Sequence, residues 1–149
     1  MGLLARKSLL AIAAVVDVAL HARERPVSAR ALAARHGLPP RHLEPVLQAL
    51  VRDTILKGVR GPHGGYELAR ERRCINVEDI VRAAGNAEEG GDAELPGSIL
   101  LAALVVPAVA EAERAFSDAL ARITVEDLAG QAEALNRSSG SDSTTDSAA

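Results

Sequence analysis

The chain has 149 residues, of which 48% are hydrophobic and 1% aromatic. That length can bury a core, and a core almost without rings must be filled by Leu, Val, Ile and Ala, which favours closely packed helices and excludes an all-β fold. The formal net charge of −3 hides a split: residues 1–73 carry thirteen Lys and Arg against six Asp and Glu, whereas residues 74–149 carry four against fourteen, so a basic half suited to a polyanion is joined to an acidic one.

The first predicted element spans Leu3, Leu4, Leu10, Val15, Val18 and Ala19, set among alanines with no internal Gly or Pro. The spacing predicts a helix of roughly five turns that stops before Pro26. Arg6 and Lys7 followed by an apolar run superficially suggest a leader peptide. Asp17 interrupts the run, which is too short to span a bilayer, and a core helix without membrane association is expected.

In VSARALAARHGLPPRHLEPVLQALVRDTIL, Ser28 is a good N-cap, the segment to Arg35 reads as a short helix, and Gly37 supplies a left-handed end. A second helix starts at the Pro39–Pro40 pair and carries Leu43, Val46, Leu47 and Leu50 on one stripe. Ala33, four residues before Gly37, is small enough for close approach. Helix, glycine turn, helix is the helix-turn-helix outline. Pro45 removes a hydrogen bond if this helix begins at Pro40, so a later start or a local kink is expected.

ILKGV and GYELA are short strand candidates flanking RGPHG, so a β-hairpin follows directly, which is the order of a winged helix. INVEDIVRAAG reads as a helix capped by Asn76 and stopped by Gly85, and NAEEGGDAELPG as an acidic linker. From Ser98 to Ile123 a long helix carries Leu100, Leu101, Leu104, Val105, Ala108, Val109, Ala112, Ala115 and Phe116 on a wide stripe, with Pro107 as a kink. Such a stripe seeks a partner, a second copy being the first choice and a third layer of a monomer the other. Thr124 and Asp127 form a capping box for one more short helix. The chain thus divides into residues 1–86 (helix-turn-helix and wing), 87–97 (linker), 98–135 (dimerisation helix and short helix) and 136–149 (disordered tail). The fold class is mainly α with a small β-hairpin.

Catalysis finds no support. His21, His36, His42 and His63 are scattered without carboxylate or cysteine partners in sequence, and GPHGG lacks the spacing and the following Lys and Ser/Thr of a phosphate loop. No metal site or cofactor is expected. The lone Cys74 excludes a disulfide framework and an all-cysteine metal site, and a reducing cytoplasm is the expected setting. It reads as a half-buried thiol, with redox sensing as the alternative. The basic residues do fit nucleic acid. Arg41, His42 and Glu44 lie near the start of a helix that would enter the major groove, Arg60 stands at the shoulder of a hairpin reaching the minor groove, and Arg30, Arg35, Arg52, Lys57 and Arg70 are candidates for phosphates. Ser28, Pro40, Gly61, His63, Gly64, Gly65 and Tyr66 complete this DNA-binding set, His63 as a surface contact at the hairpin tip and Tyr66 as packing for its base.

VRGPHGGYELAR resembles the wing signature of the Rrf2 family of bacterial winged-helix transcription regulators, LPPRHLEPVLQAL resembles that family's recognition helix, and INVEDIVRAAG resembles the helix after its wing. The resemblance runs from the first helix to about Leu135. It implies a homodimer on a partly palindromic double-stranded DNA operator, usually repressing transcription, with long C-terminal helices crossing between subunits. Many relatives hold an iron–sulfur cluster on three cysteines in the segment before the dimerisation helix. Here that segment is NAEEGGDAELPGS, without cysteine, so no such cluster is expected and the signal would come from an unknown effector or partner protein. The alternatives are an interaction module acting through a partner protein and a thiol sensor using Cys74.

Overall fold

The computed structural model describes residues 4–85 and 99–141, with the backbone alone at residues 101, 102 and 141. The expected linker 87–97, residues 142–149 and Leu3 lie outside the described residues. Six helices and one hairpin follow in the order α1 (Arg6–His21), α2 (Ala29–His36), α3 (Pro40–Arg52), β1 (Leu56–Val59), β2 (Gly65–Leu68), α4 (Val77–Gly85), α5 (Val106–Ala121) and α6 (Val125–Ser141), with a 3-10 turn at Arg72–Cys74 and a π-helical turn at Leu101–Val105. The architecture is mainly α with a two-stranded antiparallel sheet, as the sequence implies.

Helix α1 is the central element, packing against α3, α4, α6 and β2. Ala11, Ala14, Val15 and Val18 on its inner face meet Leu32 of α2, Leu43, Leu47 and Leu50 of α3, Ile80 of α4 and Val125 of α6, all buried in one core. Each large aliphatic side chain buried there stabilises the fold by about 1.5–3 kcal/mol. The small residues let the helices approach without rings to fill the gaps.

The helix ends follow local rules. The Ser28 hydroxyl accepts from the Ala31 amide at 3.1 Å, and Gly37, at φ 63°, ends α2 in the left-handed conformation that glycine adopts without cost. The Asn76 side chain accepts from the Asp79 amide at 2.9 Å. Thr124 and Asp127 exchange reciprocal bonds of 3.1 Å in a capping box. The last two caps also join α4 to α6, since the Val77 amide donates to the Ile123 carbonyl and the Val125 amide to the Ile75 carbonyl.

Four expectations change. The later start is not seen: helix α3 begins at Pro40 with Pro45 in its interior, because Pro40 at the first helical position is pre-set in φ, whereas Pro45 forfeits one bond on an exposed face. Pro107 falls in the first turn of α5, directly after the π-helical turn. That turn is where the ladder widens around a residue without an amide hydrogen. Helix α6 continues to Ser141, six residues into the stretch read as a disordered tail, with the Ser138 hydroxyl donating to the Leu135 carbonyl. Cys74 is exposed in its 3-10 turn rather than half-buried.

Asp17 is the buried charge of α1. Its carboxylate receives Arg35 at 2.9 Å from Nε and 2.6 Å from Nη2, His36 Nε2 at 3.1 Å, and lies 3.2 Å from His21 Nδ1. Burial pushes its carboxyl up, but the hydrogen bonds and charge of Arg35, with the charges of His21 and His36, outweigh burial and hold it below its ordinary value. A carboxyl group whose pKa is lower folded than unfolded contributes stability above the unfolded value and loses it as acid protonates it. Asp17→Asn should therefore cost about 2 kcal/mol near neutral pH, and its deficit against wild type should shrink below about pH 4, as read by urea unfolding across pH.

Candidate nucleic-acid interface

Helix α3 is sharply two-faced. Leu43, Val46, Leu47 and Leu50 are buried, while Pro40, Arg41, His42, Glu44, Gln48 and Arg52 are exposed. The buried stripe seats the helix on α1 and α2, and the turn at Gly37 presents its opposite face to solvent. Arg41, His42 and Glu44 thus stand together on the first turns, as the sequence reading expected. Gln48 was missed. It lies seven residues after Arg41 and four after Glu44, a helical spacing that was legible on the polar side of the stripe.

The hairpin pairs Leu56 with Leu68, Lys57 with Glu67, Gly58 with Tyr66 and Val59 with Gly65. Its tip is a β-turn in which the Gly64 amide donates to the Gly61 carbonyl at 3.0 Å, with Pro62 and His63 in the middle positions. Arg60, Gly61 and His63 are exposed. The next two glycines serve close approach. A Cβ on Gly64 would strike the Val59 carbonyl oxygen, and one on Gly65 would strike the Val27 carbonyl. Gly65 lies tight against Val27 because Tyr66 forms a bridge there, its amide donating to Val27 at 2.8 Å and its carbonyl accepting from Val27 at 3.0 Å. Tyr66 is half-buried against the core. This third strand-like contact, absent from the sequence reading, ties the hairpin to the residue just before Ser28.

The ion pairs sort the cationic residues. Arg35 is committed to Asp17, Arg70 donates to the Thr54 carbonyl at 3.1 Å and lies 3.8 Å from Asp79, and Lys57 faces Glu67 across the hairpin at 3.5 Å. Arg35 and Arg70 are therefore engaged within the fold, and charge alone does not reveal a partner eighteen residues away. Among the described residues Arg30, Arg41, Arg52 and Arg60 stand outside these pairs and are exposed. Ser28 spends its hydroxyl on the α2 cap and Arg30 sits in the first turn beside it.

Two further surfaces matter. On the helical stretch after residue 98, Ile99, Leu100, Leu104 and Val109 are 84%, 63%, 62% and 51% exposed, Val105, Ala108 and Ala112 are exposed as well, and Phe116 is half-buried. The side chain of Leu101 lies outside the described residues. No residue of α5 is buried, although the helix packs along α4. Among the described residues no group of three His, Cys, Asp or Glu converges as metal ligands, and no helix is long and apolar enough to cross a membrane.

With this geometry in place, the comparisons with known proteins agree on one family. The family model described as Rrf2, iron-dependent transcriptional regulator, matches residues 4–131. The chain is 36% identical over 80 residues to the HTH-type transcriptional regulator IscR of Xenorhabdus nematophila and 35% identical over 74 residues to protein rrf2 of Nitratidesulfovibrio vulgaris, and it spans about half the length of these curated relatives, 49% in each. The structure superimposes on that of T. potens IscR with a TM-score of 0.68 and 32% identity, covering 89% of this chain and 90% of that one. The structure of CymR, the global cysteine regulator of B. subtilis, shares the fold at a TM-score of 0.65 and 24% identity, covering 88% of this chain and 98% of that one. An iron–sulfur cluster is held by several thiolates. The whole sequence offers only Cys74, so the residues present do not fit such a cluster.

The bridge at Tyr66 yields a direct test of the hairpin geometry. Gly65→Ala should destabilise the fold by about 2 kcal/mol in urea titration, because the backbones of the hairpin and of Val27 must separate to admit a methyl group.

Proposed function

The chain belongs to the Rrf2 family of transcriptional regulators, and on that premise we propose that it is a cytoplasmic, homodimeric DNA-binding repressor that reads a partly palindromic operator without an iron–sulfur cluster. The observation that carries this reading is the pairing of two exposed cationic elements, the first turns of α3 and the hairpin tip, whose arginines stand outside the ion pairs of the described residues. Helix α3 enters the major groove, where Arg41 suits guanine, Glu44 accepts from cytosine and His42 lies alongside. Arg60 reaches the minor groove, drawn by its negative potential, Gly61 leaves the turn open to close approach and His63 is a surface contact at the tip, while Gly64, Gly65 and Tyr66 hold the hairpin in shape. Ser28, Arg30, Pro40 and Lys57 border this face. Residues 1–86 form the DNA-binding unit, 87–97 the linker and 98–135 the dimerisation unit.

The exposed stripe Leu100, Leu104, Val105, Ala108, Val109 and Ala112, continued by Phe116, supports the second copy. A contiguous apolar strip of this kind on a water-soluble surface marks an interface. Two copies related by a two-fold axis present two α3 helices, and the symmetry of the protein asks for the same symmetry in its site.

Arg41→Ala and Arg60→Ala should each weaken binding to a duplex selected by the wild-type protein by about tenfold, and Arg41→Ala should also relax sequence preference. Fluorescence anisotropy on selected and scrambled duplexes measures both. Leu104→Glu combined with Val109→Glu should turn the dimer into a folded monomer by analytical ultracentrifugation and reduce affinity for the two-half-site duplex. Equal affinity of wild type for selected and scrambled DNA would sink the reading.

A further inference from the structure

A cavity of about 470 Å³ opens where the end of α1, β2 and the 3-10 turn meet, with Arg23, Glu67 and Arg72 as its charged walls and Val18, Ala22 and Leu68 in its lining. Val18 is buried, and Ala22 and Leu68 pack against the core, so two guanidinium groups stand over an apolar floor. They share one carboxylate. Arg23 Nη2 donates to Glu133 Oε1 of α6 at 3.0 Å, while Arg72 Nη1 reaches the same oxygen only at 3.5 Å and its Nη2 donates to the neutral Ala19 carbonyl at 2.5 Å. The Arg72 side chain is 19% exposed, so a largely buried cation is answered by a long contact to a carboxylate that Arg23 holds more closely. Glu133 itself is not part of the lining. Glu67 is matched by Lys57 across the hairpin at 3.5 Å, and the cavity therefore keeps cationic charge in excess.

We infer that this cavity is an effector site for a small organic monocarboxylate, its carboxylate held by Arg23 and Arg72 and its apolar body lying on Val18, Ala22 and Leu68. The planar guanidinium fork matches a carboxylate, and the floor gains by being covered with hydrocarbon. Inorganic phosphate leaves that floor bare, and Glu67 disfavours a second negative charge. The occupant competes with Glu133 for the same two guanidinium groups. Glu133 belongs to α6, the helix that follows the exposed apolar α5. Binding thus exchanges a contact that ties α6 to the end of α1 and the 3-10 turn for one made inside the cavity. A ligand that favours one placement of α6 over another shifts the balance between them, which supplies a signal to a chain without the thiolates for a cluster. The binding site stands without DNA, whereas its coupling to the operator rests on the proposed DNA reading.

The test uses the full chain and hexanoate as the probe, followed by calorimetry and by the NMR signals of the Arg23 and Arg72 Nε–H groups, with chloride keeping ionic strength equal. Hexanoate should bind saturably, and hexanamide, which has the same shape without the charge, and inorganic phosphate should each bind at least about tenfold more weakly. Arg23→Gln and Arg72→Gln should each weaken hexanoate binding by about tenfold. Glu133→Gln should tighten it by about 3- to 10-fold because the competing carboxylate is gone, a gain that a merely structural ion pair would not give. If Arg72→Gln fails to fold, Arg23→Gln and Glu133→Gln decide the matter. Arg114→Ala, exposed on α5 and outside the lining, is the control and should change nothing. Hexanamide binding as tightly as hexanoate, or unchanged hexanoate affinity in Arg23→Gln or in Glu133→Gln, overturns the site. Phosphate binding as tightly as hexanoate overturns the carboxylate assignment. On a duplex selected by the wild-type protein, saturating hexanoate should change the affinity by about fivefold or more in wild type and not in Arg23→Gln. An unchanged wild-type affinity overturns the coupling, whereas absence of any wild-type DNA binding overturns the DNA reading and leaves the carboxylate site standing.

Discussion

A carboxylate buried in the central helix has to be answered by cations, because a charge removed from water without a partner is costly. Asp17 is answered from the last turn of α2, by Arg35 and His36. That choice fixes more than one bond. It clamps α2 to α1 immediately before Gly37, the point where the chain turns into α3, so the direction of α3 depends on this contact. The Val27–Tyr66 bridge clamps the other end of α2 to the hairpin. Between these two anchors the helix-turn-helix and the hairpin become one rigid surface.

What the sequence made legible was local. Ser28, Gly37, Asn76, Thr124 and Asp127 act within three or four residues of themselves, and each does in the structure what its chemistry suggests. The stripe of α3 was readable because 3.6-residue periodicity leaves little ambiguity over thirteen residues. What escaped was tertiary. Asp17 looked like an interruption of an apolar run, and only the fold shows that Arg35 is its partner. The same blindness made Arg35 and Arg70 look like free cations and hid the bridge at Val27. Pro45 misled because its cost was weighed without the compensating geometry of Pro40. Arg41 and Arg60, the arginines proposed for DNA, sit at an element start and a turn where no neighbour competes for them, and the sequence places them there.

The glycine-rich stretch from Gly58 to Leu68 illustrates the difference between flexibility and fit. Gly64 and Gly65 are held where two backbones pass too closely for a side chain. The hairpin is short, four residues on each strand, and a two-stranded ribbon of that size is marginal on its own. Its anchorage to Val27, and the bond from the Ala69 amide to the Ile55 carbonyl at 3.0 Å, make it part of the core.

The charge split of the sequence now has a structural meaning. The basic half builds the α3 and hairpin face, and the acidic half carries an exposed apolar helix suited to a second copy. The measurement that tests this account most directly is sequencing of genomic fragments retained by the purified full-length protein. The account predicts enrichment of fragments sharing an inverted repeat, with half-sites about one helical turn apart or a multiple of it. Retained fragments indistinguishable in sequence from the input would contradict it.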